Sequence, residues 1–147
     1  MNQENLAMKL PKKLTYCVSQ GNAPVPGLML KAIFKTLHKN HYSIVFGPTD
    51  ENGKAMLDDK TITDEAAQQL QLSMMDYAPL ENVFSGTVVV SVMGVDDLER
   101  ALKAYELFGS VSKYPDGYIE RLGNAIQLIR QMKVPKEGFS ISSEVEN

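Results

Sequence analysis

The sequence predicts an α+β protein: an antiparallel β-sandwich with a short inter-strand helix and a C-terminal helical hairpin. Three observations carry that expectation. From Lys13 to about Met93, short apolar runs are separated by Gly, Pro and Asn, the texture of strands and turns. From Val95 to about Met132 the apolar residues recur at helical spacing instead. A length of 147 residues, 44% of them hydrophobic and 22% charged, suffices for one domain with a substantial core and is short for two. The expected division is an N-terminal arm at 1–13, the sandwich at 14–94, the hairpin at 95–134 packed on it within the same domain, and a tail at 135–147.

The first strand is read from "KLTYCVS", where Leu14, Tyr16 and Val18 alternate with Thr15, Cys17 and Ser19. In "QGNAPVPG", Pro24 and Pro26 remove two backbone donors, so a loop or sheet edge follows. "LMLKAIFKTLHKNHY" is open to two readings. As a helix it carries Leu30, Ile33, Phe34 and Leu37 on one stripe; as a strand it carries Leu28, Leu30, Ala32, Phe34 and Thr36 on one face. The strand is preferred because the segments on both sides are β-like. "HYSIVFGPTDENGKAML" is a strand, a turn and a strand, with Tyr42, Ile44 and Phe46 on one face and Gly53 supplying the backbone angle of the turn.

"TITDEAAQQLQLSMM" reads as a short helix capped by Thr63, with Ala66, Ala67, Leu70 and Met74 along one side. "SGTVVVSVMG" has the length of a buried strand. Asp96 or Asp97 then caps a helix with Leu98, Ala101, Leu102, Tyr105 and Phe108 on its stripe, ended by Gly109. After "SVSKYPDG" a second helix carries Tyr118, Leu122, Ala125, Ile126, Ile129 and Met132. Two such stripes on a short link form a hairpin, which buries its apolar side against the sheet or against a second copy of the chain. The C-terminal stretch adds a short strand at 139–141 and then an acidic, frayed end.

This order of elements resembles the transthyretin-like, or prealbumin-like, β-sandwich, including the carboxypeptidase regulatory-like domains. The residues that carry the resemblance are Pro24, Val25, Pro26 and Gly27, then Thr49, Asp50, Asn52, Gly53, Lys54 and Ala55, within about 14–93. The hairpin has no counterpart in that pattern. The resemblance implies one of three roles: carriage of a hormone or small ligand, hydrolysis of an oxidised purine, or service as a non-catalytic accessory module. The hydrolase pattern uses paired histidines, an arginine and a C-terminal Tyr-Arg-Gly-Ser. That tetrapeptide is absent here and His38 and His41 are the two histidines, so no catalytic residue carries over.

Charge and motif content narrow the function further. A net charge of −3 gives no general attraction to nucleic acid or anionic lipid. One cysteine, Cys17, excludes an intrachain disulfide and a multi-cysteine metal site. The N-terminus lacks the order of a secretory signal and no apolar run spans a membrane, so a cytoplasmic protein is expected. Asp50, Asn52 and Gly53 imitate the opening of a calcium loop, but Lys54 follows and no glutamate closes it; the cluster is read as a bend. No nucleophile elbow or phosphate-cradling loop occurs. No cofactor or metal is therefore expected, and the functional expectation is a non-catalytic binding, adaptor or structural subunit whose partner is another protein. Its candidate recognition patch is Met74, Met75, Tyr77, Leu80 and Phe84, a Met- and aromatic-rich segment suited to adaptive packing. Homo-oligomerisation is expected through the C-terminal helices. The alternative is a small-molecule carrier or hydrolase related to the transthyretin-like group, with His38, His41 and Lys35 at its ligand.

Overall fold

Alternation dictates the sheets. The computed structural model describes residues 11–36, 41–65, 84–109, 114, 116–132 and 138–146, with the side chains of 36 and 84–87 outside the description. In β1 (Lys13–Gln20), Leu14, Tyr16 and Val18 are buried and their neighbours half-exposed. β1 is the centre of one antiparallel sheet. β5 (Lys54–Asp58) and β2 (Ala23–Pro24) lie along one of its sides and β7 (Ser140–Glu146) along the other. The second sheet is antiparallel with β3 (Leu30–Thr36) between β4 (His41–Phe46) and β6 (Phe84–Val92). The fold is thus α+β with two antiparallel sheets, and three helical segments among the described residues.

The core lies between the sheets. Tyr16 of the first meets Phe46 of the second with centroids 5.7 Å apart, and Phe34 stacks on its cross-strand partner Tyr42 at 4.9 Å. Phe34 is fully buried and Tyr42 nearly so. Residues 28–36 resolve in favour of period two: Leu28, Leu30, Ala32 and Phe34 are all at 0% exposure, whereas Lys31 and Ile33 are half-exposed. A helix stripe would have buried Ile33 and left Ala32 outside.

Several expectations are corrected. The short helix α1 begins at residue 59 and is described through 65. Asp58, the last residue of β5, caps it, its Oδ1 accepting the Thr61 amide at 2.7 Å; Thr63 lies inside the helix. The anchor is Ile62, at 1% exposure in the sandwich core. The expected stripe at Ala66, Ala67, Leu70 and Met74 lies outside the described residues. β6 is less buried than its valine run suggested. Val88, Val90 and Val92 pack on the core, but Val89, opposite Ile33 on the outer face of the sheet, is 52% exposed. The C-terminal strand is longer than 139–141: β7 runs to Glu146, paired with β1 in seven consecutive positions from Ser140↔Ser19 to Glu146↔Lys13.

The helices α2 (Val95–Phe108) and α3 (Tyr118–Gln131) form the predicted pair. Gly94, in extended conformation, is the N-cap of α2; Asp96 and Asp97 instead occupy its first turn, where carboxylates complement the exposed amides. Leu98 and Leu122, both at 0% exposure, form a second core with Ala125, Ile126, Met29 and Met93. The C-terminal end of α3 packs Leu128, Ile129 and Met132 on the sandwich core, so α3 bridges both cores.

Candidate functional site

The acidic corner between β4 and β5 is occupied by its own backbone. Asp50 Oδ1 accepts the amides of Asn52 at 2.8 Å and Lys54 at 3.0 Å, while the Asp50 amide donates to Lys54 O and the Gly53 amide to Asp50 O. Gly53 has φ +74°, and a Cβ there would stand 2.5 Å from the Val18 carbonyl. That carbonyl accepts the Val25 amide, and the Val18 amide donates to Gly53 O, so the corner is sewn to β1 and to the Pro-Gly loop. Glu51 is exposed, and Asp58 and Asp59 lie at the other end of β5, where Asp58 caps α1.

Thr49, 3% exposed, completes this junction. Its hydroxyl donates to Val25 O at 2.6 Å and accepts the Leu28 amide at 3.0 Å; its own amide donates to Leu28 O and its carbonyl accepts the Gly27 amide. Four hydrogen bonds from one residue tie the loop 25–28 to the corner. Beside it lies an open groove of about 440 Å³ bordered by Lys13, Thr15, Pro48, Asp50, Lys54 and Glu144. Both lysines and carboxylates border it.

Lys35 and His41 are cross-strand partners on β3 and β4, both exposed. His38 falls outside the described residues, as do Met74, Met75, Tyr77 and Leu80; Phe84 opens β6, its side chain outside the description. Among the described residues no three His, Cys, Asp or Glu side chains converge on a point that could hold a metal ion. Cys17 is half-exposed on the outer side of β1, opposite in phase to the buried Tyr16 and Val18.

Three of the six large exposed apolar side chains among the described residues lie at one end of the helical pair. Tyr105 of α2 packs on Tyr118 at the start of α3, centroids 6.4 Å apart, with Tyr114 against both at 5.0 and 4.9 Å. Residues beyond Tyr105 on α2 therefore project past the helix they pair with. Leu107 is 67% and Phe108 52% exposed, and Ile119, in the first turn of α3, is 37% exposed. Phe108 corrects the expected stripe: its spacing matches, but its partner helix has ended. Leu107 and Ile119 were not singled out from sequence, because each stands off the stripe and only the helix pairing brings them to the same end. Burial first, then the nearby Tyr114 and Glu65, push the Tyr118 phenol above its ordinary range.

Comparison with family models, with curated proteins and with solved structures finds no match to this chain.

Proposed function

We propose that this chain is a non-catalytic binding subunit, an adaptor or structural protein, that recognises another protein through the free end of its helical pair. The observation that carries this reading is the exposure of Leu107 and Phe108 beside Ile119. Apolar and aromatic side chains held on a rigid element contribute most to protein recognition when a partner desolvates them. The corner that resembled a ligand site spends its polar atoms on its own turn, which supports the same reading. For the fold we propose the prealbumin-like sandwich, supported by two antiparallel sheets around one core and by the tie between the Pro-Gly loop and Thr49.

The test is capture from the native extract with tagged wild-type protein, a Leu107→Ser/Phe108→Ser variant and a Met56→Ser control. Met56 is 59% exposed on β5, away from the helices. A protein that co-purifies with wild type and control and is lost with the double variant supports the reading. Equal recovery with all three removes the helical end from consideration.

A second reading, a small-molecule carrier or hydrolase related to the transthyretin-like group, is favoured by one observation: Lys35 and His41 face each other across β3 and β4. His41→Ala together with His38→Ala leaves ligand retention unchanged if that reading is wrong.

A further inference from the structure

The outer edge of β7 is the feature that neither the helical end nor the acidic corner explains. Among the described strands β7 pairs with β1 alone, so over seven residues its second edge has no strand partner among the described residues. Protein edges are ordinarily blunted by a bulge, a proline or an inward-facing charge. β7 has none of these, and its charges, Glu144 and Glu146, stand on the outer face. Its register with β1 is unbroken, its sequence is SISSEVE, and its inward positions are Ile141, Ser143 and Val145. Val145 shares the face of its partner Leu14, which is 5% exposed in the core, yet Val145 itself is 56% exposed. An apolar side chain aimed along the inner face is left open where the sheet stops.

We infer that this edge pairs with β7 of a second copy, antiparallel about a two-fold axis at Ser143, so that the first sheet runs continuously through a dimer. The pattern of the strand is self-complementary in that register. Ile141 stands opposite Val145 of the second copy, and Ser143 opposite its own equivalent. Ser140 faces Glu146 and Ser142 faces Glu144. Every carboxylate therefore meets a serine rather than another carboxylate directly opposite, where like charges would repel. Slipping the register by two residues in the direction that centres it on Glu144 sets Glu144 against its equivalent and loses the Ile–Val pairs. Centring on Ser143 yields about six to eight backbone hydrogen bonds across the axis. It covers Val145 twice, once in each copy. The contact is one strand deep, small beside a standard interface of about 800 Å² per partner, so the association is concentration-dependent rather than permanent.

Sedimentation velocity from about 10 μM to 1 mM, a range suited to weak pairing, should show a reversible monomer–dimer equilibrium. Val145→Lys puts a charge at a position exposed in the monomer and covered in the dimer. It should weaken dimerisation at least about tenfold, with circular dichroism reporting an unchanged fold. Ser142→Lys places an amine opposite Glu144 twice per dimer and should tighten it about threefold to tenfold. Amide exchange at 140–146 should slow as wild-type concentration rises. A chain that stays monomeric across the range overturns the inference, as does a dimer that Val145→Lys leaves intact and Leu107→Ser dissolves. Protection of 140–146 that appears only when a different protein is added also overturns it. The effect of Val145→Lys and the exchange at 140–146 are read independently of partner capture by the helical end, which the Leu107→Ser/Phe108→Ser variant reports; a dimer dissolved by Leu107→Ser would instead assign the helical end to self-association.

Discussion

Thr49 and Asp50 hold the same corner by different means, and their replacement separates burial from charge. Thr49→Val keeps the side chain's shape but leaves the buried Leu28 amide and Val25 carbonyl without the hydroxyl. Each such unpaired group costs about 1–3 kcal/mol, so urea unfolding should show a loss of that order or more at unchanged slope. Asp50→Ala removes the one acceptor shared by the Asn52 and Lys54 amides at an exposed site, where water substitutes, and the expected loss is about 0.5–1.5 kcal/mol. If Asp50 instead held a cation, Asp50→Ala would abolish a calcium-dependent rise in the unfolding midpoint; the expected outcome is no calcium dependence in either protein. Gly53→Ala meets the Val18 carbonyl as well as the strain of a left-handed backbone, about 1–3 kcal/mol from the latter alone. Of this corner, the sequence disclosed the bend and its glycine through Asp-Glu-Asn-Gly. It did not disclose Thr49 as the tie, because the partners Val25 and Leu28 are over twenty residues away and only the pairing of the two segments brings them close.

At the scale of elements, what was legible depended on whether a local pattern had one partner or two. β1, β3 and β4 face one core, and strict alternation matches their buried residues, with the side chain of Thr36 outside the description. α3 touches two cores, so its apolar positions spread to Leu128, beside Gly27, as well as the stripe. β7 was hidden because SISSEVE is polar on its outer face and its one deep contact, Ile141, borrows the core from β1. The cap of α1 was misplaced for a related reason: Asp58 serves as the end of a strand and the start of a helix, and sequence windows assign it to one. This gives a test with a pH signature. Thr61 donates to Asp58 from its backbone and then its side chain, holding that carboxyl below its ordinary value of 3.8. A group with a lowered folded pKa stabilises above the unfolded pKa and loses that contribution as pH falls through the folded one. Asp58→Ala should therefore lower stability by about 0.5–2 kcal/mol at neutral pH. The gap between the two proteins should close below about pH 4, read from thermal midpoints in matched buffers. A gap that persists undiminished at pH 2 would mean that the ionised cap contributes nothing.

For the molecule as a whole, the two cores share α3 and carry their buried phenols at different depths, which gives alkaline unfolding a defined shape. Tyr16 and Tyr42 lie in the sandwich and Tyr118 in the helical core, and burial raises all three, Tyr42 to about 12. In the unfolded chain each ionises near pH 10. Because the folded pKa lies above the unfolded one, the stabilisation is complete below pH 10 and is lost as pH climbs toward 12. Tyrosinate absorbance should accordingly show a late component that coincides with loss of the sandwich's circular dichroism. In Tyr42→Phe that component should shrink, and the protein should hold its fold to higher pH than wild type once the loss of hydroxyl contacts at neutral pH is subtracted. Tyr118→Phe tests the link between the cores. If α3 makes them one cooperative unit through Leu122 on one side and Leu128 on the other, relieving Tyr118 shifts the same single transition. Two separated alkaline transitions, one moved by each variant, would show instead that the helical pair unfolds independently of the sandwich.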